Sequence, residues 1–482
     1  MNLVNYSAQS LAKQISDKKI SAVELLHMHF DQVDQFNPDI NAVIWEDRET
    51  AMADAKACDD ETANGQSRGP WHGIPVTVKE SFDLAGSPTT WGYVPWKDNI
   101  IDTDSDAVKR YRADGAIVYG KTNVPLKLVE WQSFNDIYGT TSNPWDQTRT
   151  PGGSSGGSAA ALATGMAALE VGSDIGSSIR NPAHYCGVFG LKPTWNVLSM
   201  QGHLPPGWYG DIDIGVGGPL TRNAGDLKAA FDTLVGPTRF DASCWQSGLP
   251  ADTRSRLSDF KIAVMLGDPA SPVDPAYLAK IETFAKKLEA AGAKVIWNSL
   301  PEIDSEDHFT TYLRLLGAAL SFGMSDDDVK AMQDSIIDAA PEIKRTAGNR
   351  YAGLSVSHRE WLDLDNKRRI ARLAFDDFFK DVDIILAPVC ASAAFLKNEG
   401  GARYTRYIDV GGKSQLEVFQ LFWSGYSGVV GLPSTVGPMD TIDGLPVGYQ
   451  AIAGHGRDYT ALAFSECVER EIVGFTPPPL VS

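Results

Sequence analysis

Two loops rich in glycine and serine, and one oddly placed lysine, are where this sequence could do chemistry. The loops are Gly152-Gly153-Ser154-Ser155-Gly156-Gly157-Ser158 and Asp174-Ile175-Gly176-Ser177-Ser178-Ile179-Arg180. Glycine lets backbone N–H groups approach another group closely, and a helix starting after such a loop adds a positive dipole end. A flexible linker is the competing reading of the first loop. That loop, however, lies between Pro151 and an Ala-rich helix pattern, and it is too short to join domains. The lysine is Lys79, at the end of the apolar run Gly73-Ile-Pro-Val-Thr-Val-Lys79. It is either paired with a carboxylate such as Glu80 or desolvated for chemistry. A free lysine has a pKa of about 10.4, which burial lowers by several units, and only the neutral amine can take a proton from serine. From the residues alone structural pairing is the favoured reading of Lys79. Ser154, Ser155, Ser177 and Ser178 remain in competition as nucleophiles.

Three other motif matches fail on context. Gly115 to Thr122 fits the GxxxxGK[ST] phosphate loop, but its interior is strand-like and Pro125 follows where a helix should begin. Gly152 to Gly156 fits GxSxG, yet the preceding Asn143–Pro151 stretch is turn-like where a nucleophile elbow needs a strand. Ser10-Leu-Ala-Lys13 fits SxxK on the solvent side of a helix pattern.

The elements that must position these groups alternate. Residues 7–37 read as two helices, with Ser7 as one cap and Ser21 with Glu24 as a capping box, and Pro38 as the stop. Buried strands are expected at 74–78 and 116–119, and an Ala-rich helix at 158–168. Further helices fall near 224–235, 274–292 and 358–380, separated by strands near 260–265, 293–298 and 383–388. This predicts an α/β fold. No repeat or low-complexity linker divides the chain, so one domain over 1–482 is expected: N-terminal helices 1–70, a core 71–235 and a C-terminal part 236–482. Residues 300–358 are the least legible stretch, read as an inserted helical lobe.

Bulk properties exclude several classes. The 482 residues carry a formal net charge of -18, with 61 acidic against 43 basic residues and no long basic run, which argues against nucleic acid as a partner. Five scattered cysteines form no CxxC, so neither a disulfide framework nor a cysteine metal site is expected. His27 and His29 stand two apart on a helix and point to different sides. No signal peptide or membrane span is visible, and a reducing cytoplasm is the expectation. No metal or cofactor is called for.

The motifs taken together resemble the amidase signature family of serine hydrolases. GIPVTVKE, YGKTNVP, WQSFNDIYGTTSNPWD, RTPGGSSGGSAAA, GSDIGSSIRNPA and CGVFGLKPT carry the likeness between Trp71 and Thr194, and VDIILAPV and GLPVGYQAIAG carry it further along. The resemblance implies a large twisted mixed β-sheet covered by helices on both sides. It also implies a Ser-cisSer-Lys triad, with Ser178 as nucleophile, Ser154 on a cis peptide bond as proton relay and Lys79 as base. The two serines stand 24 residues apart, as is usual in that family. Backbone N–H groups of Ile175, Gly176, Ser177 and Ser178 would then form the oxyanion hole. Ser177 departs from the family, which has glycine there. Asp174 and Ser155 read as loop supports, Arg180 as structural and Cys186 as a buried thiol.

The implied reaction is hydrolysis of an amide C–N bond through an acyl-enzyme, on a small aryl or alkyl amide or a carbamate. The alternative is the amidase subunit of a glutamine-dependent tRNA amidotransferase, from which the Gln201–Asp213 stretch departs. Leu126, Trp131, Tyr138, Trp208 and Tyr209 are the candidate substrate-binding residues, and a homodimer is the expected assembly.

Overall fold

In the computed structural model, which describes residues 2–481, the alternation of helices and strands folds around a mixed eight-stranded sheet. Its strands run in the order Lys294–Trp297, Lys261–Val264, Ile384–Ala387, Leu445–Ile452, Ser434–Ile442, Phe189–Lys192, Val216–Thr221 and Glu170–Asp174. The first three pair in parallel and every later neighbour is antiparallel. All five residues of Glu170–Asp174 are buried, as expected of a strand covered on both faces rather than on one.

A smaller sheet of Val43–Glu46, Ile117–Thr122 and Pro75–Lys79 abuts that last strand through a parallel bridge between Val76 and Leu169. This junction brings the end of Pro75–Lys79 beside Ser173. One hydrophobic cluster runs through both sheets and their helices, from Leu3 to Val468.

Most local expectations hold. Ser7 caps the helix Ala8–Ser16, and Ser21 with Glu24 forms a full capping box on Ala22–Ile40. Pro38 does not stop that helix. It falls in the last turn, where a missing N–H costs a single intrahelical bond. The helix ends three residues later at Asn41, in a left-handed conformation (φ 54°), and the Asn37 side chain accepts from the N–H groups of Ala42 and Val43.

Residues 300–358 are helical: Ser305–Ala319, Asp326–Asp334 and a run of short helical segments from Pro341 to Gly353. Tyr312 on Ser305–Ala319 ties them to the serine loops, its hydroxyl donating to the Ile175 carbonyl at 3.0 Å.

Candidate active site

The Gly/Ser loop at 152–158 is packed, not flexible. A Cβ on Gly152 (φ 89°) would collide with Asn181 Oδ1, and one on Gly157 with the backbone N of Asn123. Glycine therefore lets the start of the helix Gly156–Ala163 press against a neighbouring segment. The peptide bond between Gly153 and Ser154 is cis. Asn181 clamps the two serine loops together: its Nδ2 donates to the carbonyls of Gly153 (2.7 Å) and Ser177 (2.8 Å), and its Oδ1 accepts from Gly153 N–H (3.1 Å).

Lys79 is fully buried, and its Nζ lies 2.6 Å from Ser154 Oγ and 2.9 Å from Ser173 Oγ. It makes no carboxylate ion pair among the described residues, so pairing with Glu80 is not its role. Glu80 instead accepts the backbone N–H groups of Thr90 and Trp91. Burial pulls the lysine down to about 7, against an upward pull from Asp174, Glu170 and Glu80. Ser173 went unremarked in the sequence. Its only signal is that it shares a motif with Ser178, and the strand that presents it to Lys79 belongs to the other sheet.

The segment 174–178 is held from both sides. Asp174 accepts from Ser177 N–H (2.9 Å), Ile179 N–H (3.1 Å) and Arg180 N–H (3.3 Å), and from the Arg180 guanidinium at 2.9 and 3.0 Å. Burial would raise its carboxyl, but the Arg180 charge and these hydrogen bonds hold it below the ordinary carboxylate value. Arg180 reaches further, to Ser427 Oγ, Gln450 Oε1 and the Ser424 carbonyl.

Four successive carbonyls are each pinned by a different part of the chain. Tyr312 holds Ile175, the Trp131 indole N–H holds Gly176 (2.7 Å), Asn181 holds Ser177, and Ser155 N–H holds Ser178 (3.1 Å). Fixing the carbonyls fixes the N–H groups on the opposite edges of the same peptide planes. Two of these, the N–H groups of Gly176 and Ser178, together with Ile175 N–H from the preceding plane, donate to no protein acceptor among the described residues, an arrangement of the kind that could receive an oxyanion. Ser177 is a correction: its N–H is already given to Asp174, so three donors and not four are free.

Ser177 itself adopts φ 74°, the left-handed region that suits the glycine of the family pattern, and its buried Oγ has no hydrogen-bond partner. Ser177→Gly should therefore raise the thermal midpoint, stabilising the chain by about 1 kcal/mol. A lower midpoint in a heat-unfolding scan would show that the hydroxyl contributes packing that outweighs the backbone strain.

Ser178 is 5% exposed, and no hydrogen bond joins its Oγ to Ser154. Catalytic hydrogen bonds commonly tighten only once substrate is bound. Beside it lies a narrow slot walled by Val129, Trp131, Leu316, Leu320, Leu421 and Arg350. The slot shares Val129, Leu320 and Arg350 with an apolar cavity of about 440 Å³, whose walls include Trp91, Trp96, Trp208 and Phe322.

Of the expected substrate-binding residues, Trp131 lines the slot and Trp208 the cavity, while Leu126, Tyr138 and Tyr209 line neither. Leu126 is 46% and Tyr209 83% exposed, the latter on a neighbouring cleft that shares Pro205 and Trp208 with the cavity, and Tyr138 is half-buried in the hairpin around residues 134–140. Among the wall residues missed are Trp91, Leu316, Leu320, Phe322 and Arg350, the last four in the illegible 300–358 stretch.

Among the described residues, Cys58, Glu61 and His72 bring three ligating atoms within 4.8 Å of one another. Glu61 is held by Arg68, and the His72 nitrogens face Arg68 N–H, Thr62 Oγ1 and the Cys58 carbonyl, so these groups already have partners.

The family model described as Amidase matches residues 24–462. The indoleacetamide hydrolase of Bradyrhizobium diazoefficiens is 29% identical over 480 residues, covering 96% of this chain and 86% of that protein. A glutamyl-tRNA(Gln) amidotransferase subunit of Methylobacillus flagellatus is 31% identical over 477 residues, covering 94% of each. The solved structure of a bacterial aryl acylamidase of the amidase signature enzymes superposes with a TM-score of 0.80 at 23% identity, over 97% of this chain and 96% of that one.

Proposed function

Since the chain belongs to the amidase signature family and hydrolyses amide C–N bonds, we propose that it does so through Ser178 on a small aryl or alkyl amide, or a carbamate. Ser178 Oγ attacks the carbonyl carbon while its proton passes to Ser154, whose own proton passes to neutral Lys79. The oxyanion gathers the N–H groups of Ile175, Gly176 and Ser178. Collapse breaks the C–N bond, the relay returns the proton to the leaving amine, and water then hydrolyses the acyl-enzyme by the same relay.

The observation that carries the substrate class is the aromatic cavity opening onto the slot beside Ser178. Its size suits a small organic ligand. The likeness to an amidotransferase component favours a second reading, glutamine hydrolysis for a partner enzyme. Free glutamine, small and polar, would leave three tryptophans and a phenylalanine facing water. We place the enzyme in the cytoplasm, where its five free cysteines, four of them buried, suit reducing conditions, and read its assembly as a homodimer. No helix among the described residues is long and apolar enough to cross a membrane.

A chromogenic panel of anilides, carbamates, amino-acid amides and glutamine tests the reading. Aryl amides or carbamates are expected to exceed glutamine by at least about tenfold in kcat/KM, the worth of one to two buried methylenes. Glutamine hydrolysis that appears only on adding the partner proteins of an amidotransferase would overturn it.

A further inference from the structure

The walls of the aromatic cavity and the slot hold a guanidinium with nothing to pair with. Arg350 lines both spaces, at their junction. Its side chain makes no hydrogen bond and no ion pair among the described residues, and its Nε is buried without a partner. The neighbouring charges do not supply one. Glu130 is taken by Arg406 at 2.5 Å and faces Arg403 at 3.6 Å, and Glu417 is taken by Arg403 at 2.9 Å. Two carboxylates therefore serve two other arginines, and Arg350 is the cation left over.

The cavity repeats this imbalance. Lys127 is its second cationic wall residue, and no Asp or Glu lines it, although the whole chain carries a net charge of -18. The Trp91 indole N–H, on the same wall, is also buried without an acceptor. Both orphaned groups, the guanidinium and the indole, can only donate. A half-buried cation with a donor shut away from water and unmet is costly on its own and is stabilised by an anion that accepts from it, most effectively by a planar carboxylate.

We propose that Arg350 receives a carboxylate on the substrate, so that the preferred amides carry an apolar or aromatic body with an anionic group held at the junction of slot and cavity. This rests on the reading of Ser178 as the reacting centre, and it narrows that reading from aryl or alkyl amides to acidic ones. Arg350 is then a specificity residue: it touches the substrate away from the bond that breaks. The buried rings of Trp91 and Trp131 on these walls lower the local polarity and strengthen the ion pair.

Two measurements separate this inference from the amidase reading beneath it. In the first, mono-4-nitroanilides of dicarboxylic acids are compared with their methyl esters, and 4-carboxyanilides with theirs, so that the charge sits on either arm of the amide. At least one pair should favour the free carboxylate by about tenfold to a hundredfold in kcat/KM, the worth of a charge-assisted hydrogen bond. Arg350→Gln should bring that ratio near one, and Arg350→Lys should restore part of it.

In the second, naphthalene-2-acetate and naphthalene-2-acetamide are titrated against the Ser178→Ala chain by tryptophan fluorescence. The carboxylate should bind about tenfold or more tighter, and Arg350→Gln should abolish the difference. Equal binding of the two probes, or a preference unchanged by Arg350→Gln, overturns the proposal even if neutral amides are hydrolysed. If neither amide series is hydrolysed but the carboxylate binds through Arg350, the amidase reading fails and the anion site stands.

Discussion

Ser178→Ala should lower kcat by about 10⁴–10⁶-fold while leaving substrate affinity close to that of the wild type, because in the proposed mechanism it removes the nucleophile and leaves the donors that bind the carbonyl. The neighbouring serines provide the contrast. Ser154→Ala should lose about 10²–10⁴-fold, the worth of one proton-transfer group, since it deletes the oxygen 2.6 Å from Lys79 Nζ. Ser155→Ala should stay far closer to wild type. The Ser155 hydroxyl turns toward the backbone of Ser173 at 3.4 Å, and its main-chain N–H, which alanine keeps, is what holds the Ser178 carbonyl. Steady-state rates, with labelling by an acylating serine-hydrolase probe, read out all three. Labelling of Ser178→Ala, or a loss at Ser155 as large as at Ser178, would move the nucleophile elsewhere.

That contrast marks how far the site was legible in the sequence. Ser154, Ser155, Ser177 and Ser178 are chemically alike and adjacent in pairs, so residue type alone could not rank them. The structure separates them by backbone: Ser154 follows a cis bond and faces Lys79, Ser155 turns to the main chain, Ser177 sits at φ 74° with a buried hydroxyl, and Ser178 reaches the slot. Lys79 stood out because a cation ending a buried apolar strand breaks the pattern of its surroundings. Its second partner, Ser173, did not, since a hydroxyl brought in from another sheet leaves no local trace. The strands and long helices were visible because their periodicity serves one core. In 300–358 the helices Ser305–Ala319 and Asp326–Asp334 keep an amphipathic pattern, and it is the run of three- to five-residue segments from Pro341 to Gly353 that is too broken to show a period. Leu126, Tyr138 and Tyr209 show the converse: an apolar side chain in a loop reads the same whether it lines a pocket or meets solvent.

Lys79→Met should nearly abolish activity and yet unfold at a higher temperature than the wild type. The lysine is wholly enclosed, and burial drives it from its ordinary 10.5 to about 7. The groups that could recharge it are spent or neutralised. Asp174 is committed to Arg180, Glu80 to two backbone N–H groups, and Glu170 is itself pushed up to about 8 by burial, despite hydrogen bonds from Thr77 and its neighbours. In wild type kcat/KM should therefore rise with pH through about 7 and level off above, as the amine becomes able to take the proton from Ser154. The stability cost has the opposite face. Between about 7 and 10.5 the unfolded chain holds a proton on this lysine that the folded chain lacks, so this group makes stability increase with pH across that window, with its full penalty present below about 7. Methionine removes the penalty and keeps most of the volume, while deleting the base at a cost of about 10²–10⁴-fold in rate. Lys192, also lowered to about 7 by burial, carries a similar pH dependence, so the comparison is the difference between wild type and Lys79→Met at each pH. A rate profile flat across neutrality, or a Lys79→Met chain less stable than wild type at neutral pH, would mean that this lysine is held charged and cannot be the base.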